Sequence, residues 1–403
     1  MLMILLLWGC QANKATLQEE TTRWLGPAGN GIYPDSGLLK EWPPEGPEIL
    51  WTFDSLGMGF SSVIIQDDYL FTTGMIDSTG YLYKLNLKGD LVYMVPYGPE
   101  WTGSYRGTRG SPTVVGDKIY LVSGEGKLIC FNNEDGSILW SKEYIYEFGG
   151  QNITWGINET PVVDGDLIYA TPGGKENNVI ALNRHTGELV WSCKGEGELS
   201  AYCTPLLIDH NGRKLLITYT ASHLIGIDPV SGKLLWSVDV TNEYSVHFWT
   251  PIFHDGAIYY PTGNELGGGK LKLSEDGDSV SAVWKNQLID FKISAMLVEG
   301  YIFESYSDYE RLTWRCVDWE TGEELFASRD LDCGRGIYAD GMLYLYTYRG
   351  ELALVKPDPK ELKIVSQTKV THGSYLHQAQ PTMHNGVLYI RHGKAMIAYK
   401  VSA

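Results

Sequence analysis

A pair of strands joined by a tight turn recurs eight times along this 403-residue chain. The second strand of each copy carries one aromatic residue, replaced by isoleucine in the fourth copy, at intervals of 41 to 49 residues. The positions are Phe71, Tyr120, Tyr169, Ile217, Tyr259, Phe303, Tyr344 and Tyr389. A period in this range with strand patterning inside each unit is typical of a β-propeller blade. We therefore predict an all-β chain that forms eight four-stranded blades, with seven blades as the alternative count.

Residues 160–191 show how one copy divides into four strands. The apolar TPVV is followed by Asp164-Gly165, and this dipeptide tolerates the positive φ that a two-residue hairpin needs. DLIYAT gives the second strand and NVIALN alternates as a third. A turn at Thr186-Gly187 then leads into a fourth strand that ends at Trp191.

The last copy lacks its fourth strand, because the chain ends at AMIAYKVSA. The segment PEILWTF near the N-terminus carries Trp51 at the position where other fourth strands have their aromatic residue. A closed ring removes the open sheet edges of a propeller. Residues around 48–53 are therefore predicted to complete the eighth blade, and residues 24–403 to form a single propeller domain.

The chain opens with an apolar run that ends in Gly9-Cys10, MLMILLLWGC, and is too short to span a bilayer. This pattern resembles a lipobox. We predict a lipoprotein signal segment over residues 1–10, lipidation at Cys10 and a polar tether over residues 11–23; an incidental cysteine is the alternative. The protein is then expected in the cell envelope, periplasmic or associated with the outer membrane, and to meet the membrane only through its lipid anchor.

Cysteine spacing and charge exclude several classes of site. The chain contains no CxxC, CxxCH or HExxH motif, so no metal or haem site of the common kinds is expected. The disulfide pairing of the five other cysteines is left open. They are Cys130, Cys193, Cys203, Cys316 and Cys333. The net charge of −17 argues against a nucleic-acid partner, since phosphate binding needs a basic surface.

The turn and final strand of several copies carry a recognisable pattern, as in ALNRHTGELVW, GIDPVSGKLLW and CVDWETGEELF. These segments resemble the pyrroloquinoline-quinone (PQQ)-like propeller repeat. The segment WLGPAGNGIYPDSGLLKEWPPEGPEILW, residues 24–51, looks like the opening of a bacterial subgroup that is exported or lipid-anchored. The resemblance covers nearly the whole chain and implies an eight-bladed propeller.

The same resemblance raises the question of a quinone cofactor. Quinone-dependent alcohol dehydrogenases of this superfamily place the quinone beside a disulfide of adjacent cysteines and bind a metal through Glu, Asn and Asp. This chain has no Cys-Cys dipeptide, so no cofactor is expected and PQQ binding is disfavoured. The other relative, the propeller lipoprotein of the outer-membrane barrel-assembly machinery, implies a scaffold that presents its surface to partner proteins.

Site residues should break the repeat, whereas structural residues should recur with it. The recurring Trp140, Trp191, Trp236 and Trp284 are therefore interpreted as packing between blades. Twelve residues just before the innermost strands break the pattern and are predicted to ring one channel mouth and bind ligand. They are Arg106, Arg109, Trp155, Asn158, Glu159, Tyr202, His247, Trp249, Lys292, Arg335, His377 and Gln378.

Four of these residues are cations, and aromatic side chains and histidines lie among them. Arginine recognises carboxylates with two parallel hydrogen bonds. We therefore predict a binding or scaffold protein for a protein partner or an anionic saccharide. The alternative is a lyase-like enzyme that acts on polysaccharides, with His247 or His377 as base and Tyr202 or Tyr375 as acid. A PQQ-dependent dehydrogenase is a third and weaker reading.

Overall fold

The structure, a computed structural model, describes residues 21–242, 244–262, 268–286, 291–307 and 312–403, without the side chains of 291–293 and 312. The sheets form eight blades of four antiparallel strands each, and a short fifth strand from the N-terminal segment joins two of them. The prediction of an all-β propeller with eight blades is confirmed, and the alternative of seven blades is wrong. The described residues include one short helix, Tyr144–Phe148, between blades 2 and 3.

In each blade the strands are named A to D from the channel outward. Blade 1 contains Ile64–Gln66, Tyr69–Ile76, Thr79–Asn86 and Leu91–Pro99. Blade 2 contains Thr113–Val115, Lys118–Val122, Lys127–Asn132 and Ile138–Glu143. Blade 3 contains Val162–Asp164, Leu167–Ala170, Val179–Asn183 and Leu189–Cys193. Blade 4 contains Leu206–His210, Arg213–Tyr219, His223–Ile227 and Leu234–Asp239.

The second half of the ring repeats this order. Blade 5 contains Ile252–His254, Ala257–Pro261, Gly268–Leu273 and Val280–Asn286. Blade 6 contains Phe291–Val298, Tyr301–Ser307, Leu312–Asp318 and Glu324–Ser328. Blade 7 contains Gly334–Ala339, Met342–Thr347, Glu351–Lys356 and Lys363–Lys369. Blade 8 contains Thr382–His384, Val387–His392, Ala395–Lys400 and, as its D strand, Glu48–Phe53.

The ring closes as the sequence predicts. Glu48–Phe53 pairs antiparallel with Ala395–Lys400, and Trp51 lies opposite Ala398. The Trp51 ring also packs against Tyr389 of blade 8, with 6.0 Å between ring centroids, and its indole N–H donates to the Leu87 carbonyl of blade 1 at 2.9 Å. The N-terminal strand therefore joins the last blade to the first.

Tryptophans within the D strands join neighbouring blades. Trp140 donates its indole N–H to the Arg184 carbonyl of blade 3 at 3.0 Å, and Trp191 donates to the Pro229 carbonyl of blade 4 at 2.9 Å. The ring of Trp140 covers Gly187 of the Thr-Gly turn, where φ is +73° and a Cβ atom would approach the indole to 2.9 Å. Trp284 makes the same bond to the Trp319 carbonyl of blade 6 at 3.1 Å, and Trp236 packs in one buried cluster with Ile258 and Tyr260 of blade 5. These contacts confirm the interpretation of the four residues as packing between blades.

A β-bulge interrupts the pairing of strands C and D at the same place in every blade. In blade 2, Cys130 faces Trp140 and Phe131 faces Ile138, so Leu139 has no partner and points outward. The bulge explains why the apolar residue before the aromatic residue of the D strand, such as Leu139 or Val190, is exposed in most blades. Bulges on edge strands disfavour pairing with another sheet.

The N-terminal segment crosses the channel. Thr21–Thr22, which fall within the predicted tether, pair with the A strand of blade 2, and Ile32–Tyr33 pair with the A strand of blade 7. Residues 23–31 connect the two blades and therefore pass through the middle of the ring. Trp24 in this segment contacts Trp249 edge to face, with 5.3 Å between ring centroids. None of the described helices is long and apolar enough to span a membrane.

Candidate functional site

A cavity of about 290 Å³ opens on the face formed by the loops that enter the A strands. Its wall combines six aromatic rings with two guanidinium groups and two smaller polar side chains. The lining residues are Phe60, Tyr105, Arg109, Trp155, Tyr202, Phe248, Ser307, Arg335, Tyr348 and Gln378. We call this space the mouth cavity.

A narrower space of about 90 Å³ continues from the mouth cavity toward the channel centre and shares six of its lining residues. Hydroxyl and amide groups from the starts of the A strands surround it, and Trp24 of the crossing segment contributes its inner end. The additional lining residues are Trp24, Ser62, Ser111, Asn158, Thr160, Cys203, Thr204 and Gln380.

The hydroxyl groups around this inner space also link neighbouring blades. Ser111 Oγ accepts the Ser62 backbone N–H at 2.9 Å, and Thr204 Oγ1 accepts the Thr160 N–H at 2.9 Å. These links account for the recurring Ser or Thr before the A strand, which the sequence shows as SP and TP pairs. The inner wall of the cavity is therefore built from the same hydrogen bonds that hold the ring together.

Six of the twelve predicted site residues line the mouth cavity or its inner extension. They are Arg109, Trp155, Asn158, Tyr202, Arg335 and Gln378. They come from blades 2, 3, 4, 7 and 8 or from the loops before them. Residues far apart in sequence converge because each lies just before an A strand or, for Arg335, at its start. Ligand binding by these residues stays a prediction.

Arg109 is the most strongly held of these side chains. Its guanidinium donates to the carbonyls of Gly107 at 2.6 Å and of Ser104 and Tyr105 at 2.8 Å each. Its Nε donates to the Tyr202 hydroxyl at 3.0 Å. Arg109 therefore fixes the loop of residues 104–107 and one wall of the mouth cavity, while its charge remains at the cavity surface.

Arg335 lies on the other side of the cavity, with its guanidinium 5.7 Å from the centre of the Trp249 ring. Burial raises the pKa of the Tyr202 hydroxyl, and the positive charges of Arg109 and Arg335 offset only part of that rise. Tyr202 therefore keeps its proton at neutral pH and can act as a hydrogen-bond donor.

Two aromatic residues at the cavity have unusual backbone conformations. The φ angles of Tyr105 and Tyr202 are +51° and +67°, in the left-handed region that a bulky side chain rarely adopts. Tyr375, which stacks on Phe60 with 5.6 Å between ring centroids, has φ +93°. Backbone strain of this kind concentrates at binding sites, where the surrounding structure maintains it.

Two of the predicted residues lie near the mouth but not in the cavity wall. Arg106 points outward and donates to the Asp77 carbonyl at 3.1 Å. Glu159 is buried behind the wall and accepts hydrogen bonds from the Tyr144 hydroxyl and from the backbone N–H and hydroxyl of Thr171. Burial raises the pKa of Glu159 despite these bonds. Glu159 is buried and is not exposed at the channel mouth, so its prediction is wrong, whereas Arg106 lies near the mouth but outside the cavity wall.

His247 and Trp249 are both buried, and neither lines the mouth cavity or its inner extension. The His247 ring stacks on Tyr219 with 4.2 Å between centroids, and burial lowers its pKa to about 4. Phe248, between them, lines the cavity instead. Neighbouring residues of an extended segment point to opposite sides, so the sequence prediction chose the wrong side here.

His377 also lies outside the cavity wall. Its ring stacks on His392 with 3.6 Å between centroids, and its Nδ1 is 2.6 Å from the Tyr346 hydroxyl. Burial, followed by the nearby His392, lowers the pKa of His377 to about 4. Its position in the mouth was therefore predicted wrongly.

The remaining predictions fall partly outside the described residues. The side chain of Lys292 and the whole of residues 1–20, including Cys10, lie outside them. The five cysteines that the structure does describe are buried and have free thiols. Burial raises the pKa of Cys130, Cys203, Cys316 and Cys333 to about 12.

Four aromatic residues of the wall were not among the twelve: Phe60, Tyr105, Phe248 and Tyr348. Tyr105 and Phe248 are direct neighbours of predicted residues, so the alternation of side chains was the available signal. Phe60 precedes the A strand of blade 1, where the sequence FSSVI does not show the SP or TP pair of other blades. Tyr348 lies on the loop between strands B and C of blade 7.

The residues of the cavity do not fit a metal-assisted quinone. Calcium is bound by several oxygen ligands, carboxylates among them. No lining residue in the described part of the chain is Asp or Glu, and that part contains no cluster of three or more His, Cys, Asp or Glu suited to a metal. We derive no chemistry from a quinone at this site.

Comparison with known proteins identifies the family. The model of the family described as "Outer membrane protein assembly factor BamB" matches residues 43–267, more than half of the chain. The chain belongs to this PQQ-like propeller family. An outer membrane protein assembly factor BamB of Shewanella oneidensis is 24% identical over 207 residues, which cover 50% of this chain and 49% of that protein. The chain thus matches about half the length of this relative of the BamB family.

Quinoproteins are also similar to this BamB-family chain. The quinoprotein alcohol dehydrogenase PedH of Pseudomonas putida is 24% identical over 202 residues, which cover 46% of this chain and 31% of that protein. Two solved structures share the fold at 11% identity. Sqt1 of Saccharomyces cerevisiae has a TM-score of 0.63, and the alignment covers 89% of this chain and 100% of the Sqt1 chain. The quinohemoprotein alcohol dehydrogenase of Comamonas testosteroni has a TM-score of 0.53, and the alignment covers 93% of this chain and 79% of the dehydrogenase chain.

Proposed function

We propose that this protein is a binding and scaffold propeller of the cell envelope that holds a protein partner on the face around the mouth cavity. The observation that carries the proposal is membership of the BamB family, which is described as an outer membrane protein assembly factor. The aromatic cavity on one face supplies a surface suited to that role. Because only part of each curated relative is matched, the partner and the process are proposals.

The composition of this face favours recognition of another protein. Tyr105 is 54% exposed and Tyr375 is 41% exposed, and both lie on loops before an A strand. Trp155 contacts Tyr244 edge to face with 5.8 Å between ring centroids. Tyrosine, tryptophan and arginine supply most of the binding energy at protein interfaces. An exposed aromatic rim with arginines at its centre therefore matches an interface hot spot.

The placement in the cell follows from the same family. We propose an extracytoplasmic location, periplasmic or associated with the outer membrane, with lipidation of Cys10 and residues 11–23 as a tether to the membrane. Residues 1–10 would then be the lipoprotein signal segment and residues 24–403 the single folded domain. The net charge of −17 supports partners other than nucleic acid.

An anionic saccharide is the second candidate ligand. The inner extension of the cavity presents hydroxyl and amide groups that suit sugar hydroxyls, and Arg109 and Arg335 suit a carboxylate. The geometry supports binding better than cleavage. A lyase would need His247 or His377 as its catalytic base, and both residues lie outside the cavity wall. A lyase would have to use Tyr202, whose raised pKa makes it a poor base at neutral pH.

A quantitative pull-down from envelope fractions tests the scaffold role. We compare the wild-type chain with Tyr105→Glu at the mouth and Val230→Glu, which is exposed on the turn between strands C and D of blade 4. A specific envelope protein should be recovered with the wild type and with Val230→Glu, and its recovery should fall at least about tenfold with Tyr105→Glu. Equal recovery with both variants, or none with the wild type, would overturn the proposal.

A further inference from the structure

The channel is closed behind the mouth cavity by the chain's own N-terminal segment. Residues 23–31 cross the ring between blades 2 and 7, and Trp24 lines the inner end of the cavity. Leu25, directly after it, is buried against Trp249 and Ile252. An extended chain therefore cannot thread through the channel. A ligand that fills the mouth cavity has to end there.

The charges in the wall indicate what that end should be. Arg109 and Arg335 line the cavity from blades 2 and 7, and none of the described lining residues carries a carboxylate. In a chain with a net charge of −17, the two guanidinium groups bring positive charge to this part of the wall, with the buried carboxyl group of Glu100 near Arg109. Guanidinium groups form their strongest hydrogen bonds with carboxylates.

The aromatic rings indicate the neighbouring group. Phe60, Trp155, Tyr202, Phe248 and Tyr348 form most of the remaining wall. Tyr202 and Phe248 contact each other edge to face with 5.7 Å between ring centroids, which leaves a fixed slot rather than a flat surface. A volume of about 290 Å³ is enough for a single large apolar side chain together with a backbone carboxylate.

The cavity is also held in place before any ligand arrives. Arg109 fixes Ser104, Tyr105 and Gly107 through their carbonyls and Tyr202 through its hydroxyl. Tyr105 and Tyr202 keep left-handed backbone conformations in this arrangement. Preorganised sites lose less conformational entropy when they bind.

We infer that the mouth cavity binds the carboxyl-terminal residue of a partner polypeptide, with its apolar side chain between the aromatic rings and its carboxylate at the two arginines. The inference rests on the proposed scaffold function and specifies which part of the partner is recognised. Arg109 acts mainly as a positioning residue, and Arg335 is the residue to vary, because its removal leaves the loop of residues 104–107 in place.

Titration with matched peptides tests the inference. The probe is acetyl-Gly-Ser-Gly-Ser-Leu with a free carboxylate, and the comparison peptide carries a carboxamide instead. Neither peptide absorbs where tryptophan does, so quenching of intrinsic fluorescence reports occupancy beside Trp155 and Trp24. The free acid should bind at least about tenfold more tightly than the amide, because a hydrogen bond between a guanidinium and a carboxylate is stronger than one to a neutral amide.

Arg335→Gln should remove the difference between acid and amide, and Arg106→Gln should preserve it. Arg106 is the matched control, an exposed arginine outside the cavity wall. Equal binding of acid and amide, or no binding of either, would overturn the inference. Binding of sodium glucuronate in preference to the peptide would also overturn it and assign the cavity to sugar acids. If recovery in the pull-down depends on Tyr105 while the acid and amide peptides bind equally, the proposed scaffold function stands. Only the inferred recognition of a carboxyl terminus is then wrong.

Discussion

Replacing Glu304 by alanine should lower the free energy of unfolding by about 3–5 kcal/mol, because it leaves a buried guanidinium without its main counter-charge. Glu304 and Arg315 are directly opposite each other on strands B and C of blade 6, and both are almost fully buried. Arg315 Nε donates to Glu304 Oε1 at 2.5 Å. Tyr259 of blade 5 donates its hydroxyl to Glu304 Oε2 at 2.6 Å, so the carboxylate also joins two blades.

The pKa of Arg315 reflects this pair. Burial, the largest single influence, would lower this pKa, but Glu304, Tyr259 and Glu324 together outweigh burial and raise it. Urea denaturation followed by tryptophan fluorescence measures the loss. Glu324→Ala is the matched control, because Glu324 also contacts Arg315, at 3.3 Å, but is 37% exposed; its loss should stay below about 1 kcal/mol.

A double variant separates the pair from general damage to the blade. Glu304→Leu combined with Arg315→Met removes both charges, and such replacements often restore or exceed the original stability. We expect the double variant to be more stable than Glu304→Ala. A Glu304→Ala variant within 1 kcal/mol of the wild type would show that the ion pair does not contribute as described.

Replacing Trp51 and Phe53 by alanine should lower the free energy of unfolding by about 4 kcal/mol. Replacement of a fully buried Trp or Phe by Ala costs about 3–5 kcal/mol, and these two rings are only half-buried. Both belong to the D strand that completes blade 8 and pack with Leu56, Tyr389 and Met396. The loss should open the ring at the seam between blades 8 and 1.

Hydrogen exchange localises this effect. Backbone amides of Ala395–Lys400, the partner strand, should lose protection before those of other blades. Ile49→Ala with Leu50→Ala is the matched control, because these residues lie on the same strand and are exposed; their loss should be within about 1 kcal/mol. If the control variant is as unstable as the Trp51 and Phe53 variant, the strand itself and not its two rings closes the propeller.

The sequence predicts the architecture well because one period determines it. Repetition of the second-strand aromatic residue gives the number of blades, and the missing last strand identifies Glu48–Phe53 as the closing strand. The bulge before each terminal aromatic residue was not predicted, although an exposed apolar residue such as Leu139 or Val190 recurs there. Pattern alone cannot show that one residue of a strand is unpaired.

The candidate site is less predictable from sequence. Positions before each A strand were the correct region, and Arg109, Tyr202 and Arg335 do converge there. A shift of one residue along an extended segment decides which side chain faces the channel. For this reason the sequence predicted His247 in the cavity wall, whereas Phe248 lies there. The crossing of the channel by residues 23–31 depends on two-residue strand pairs, which leave no periodic signal.

The most direct test of the account is to ask which face of the propeller touches its partner in the cell envelope. A photo-reactive benzoylphenylalanine is placed, one position at a time, at Tyr105 and Tyr375 on the mouth face and at Val230 on the opposite face. We expect a covalent adduct with one specific envelope protein from Tyr105 and from Tyr375, and none from Val230. An adduct that forms from Val230 and not from the two mouth positions would contradict this expectation.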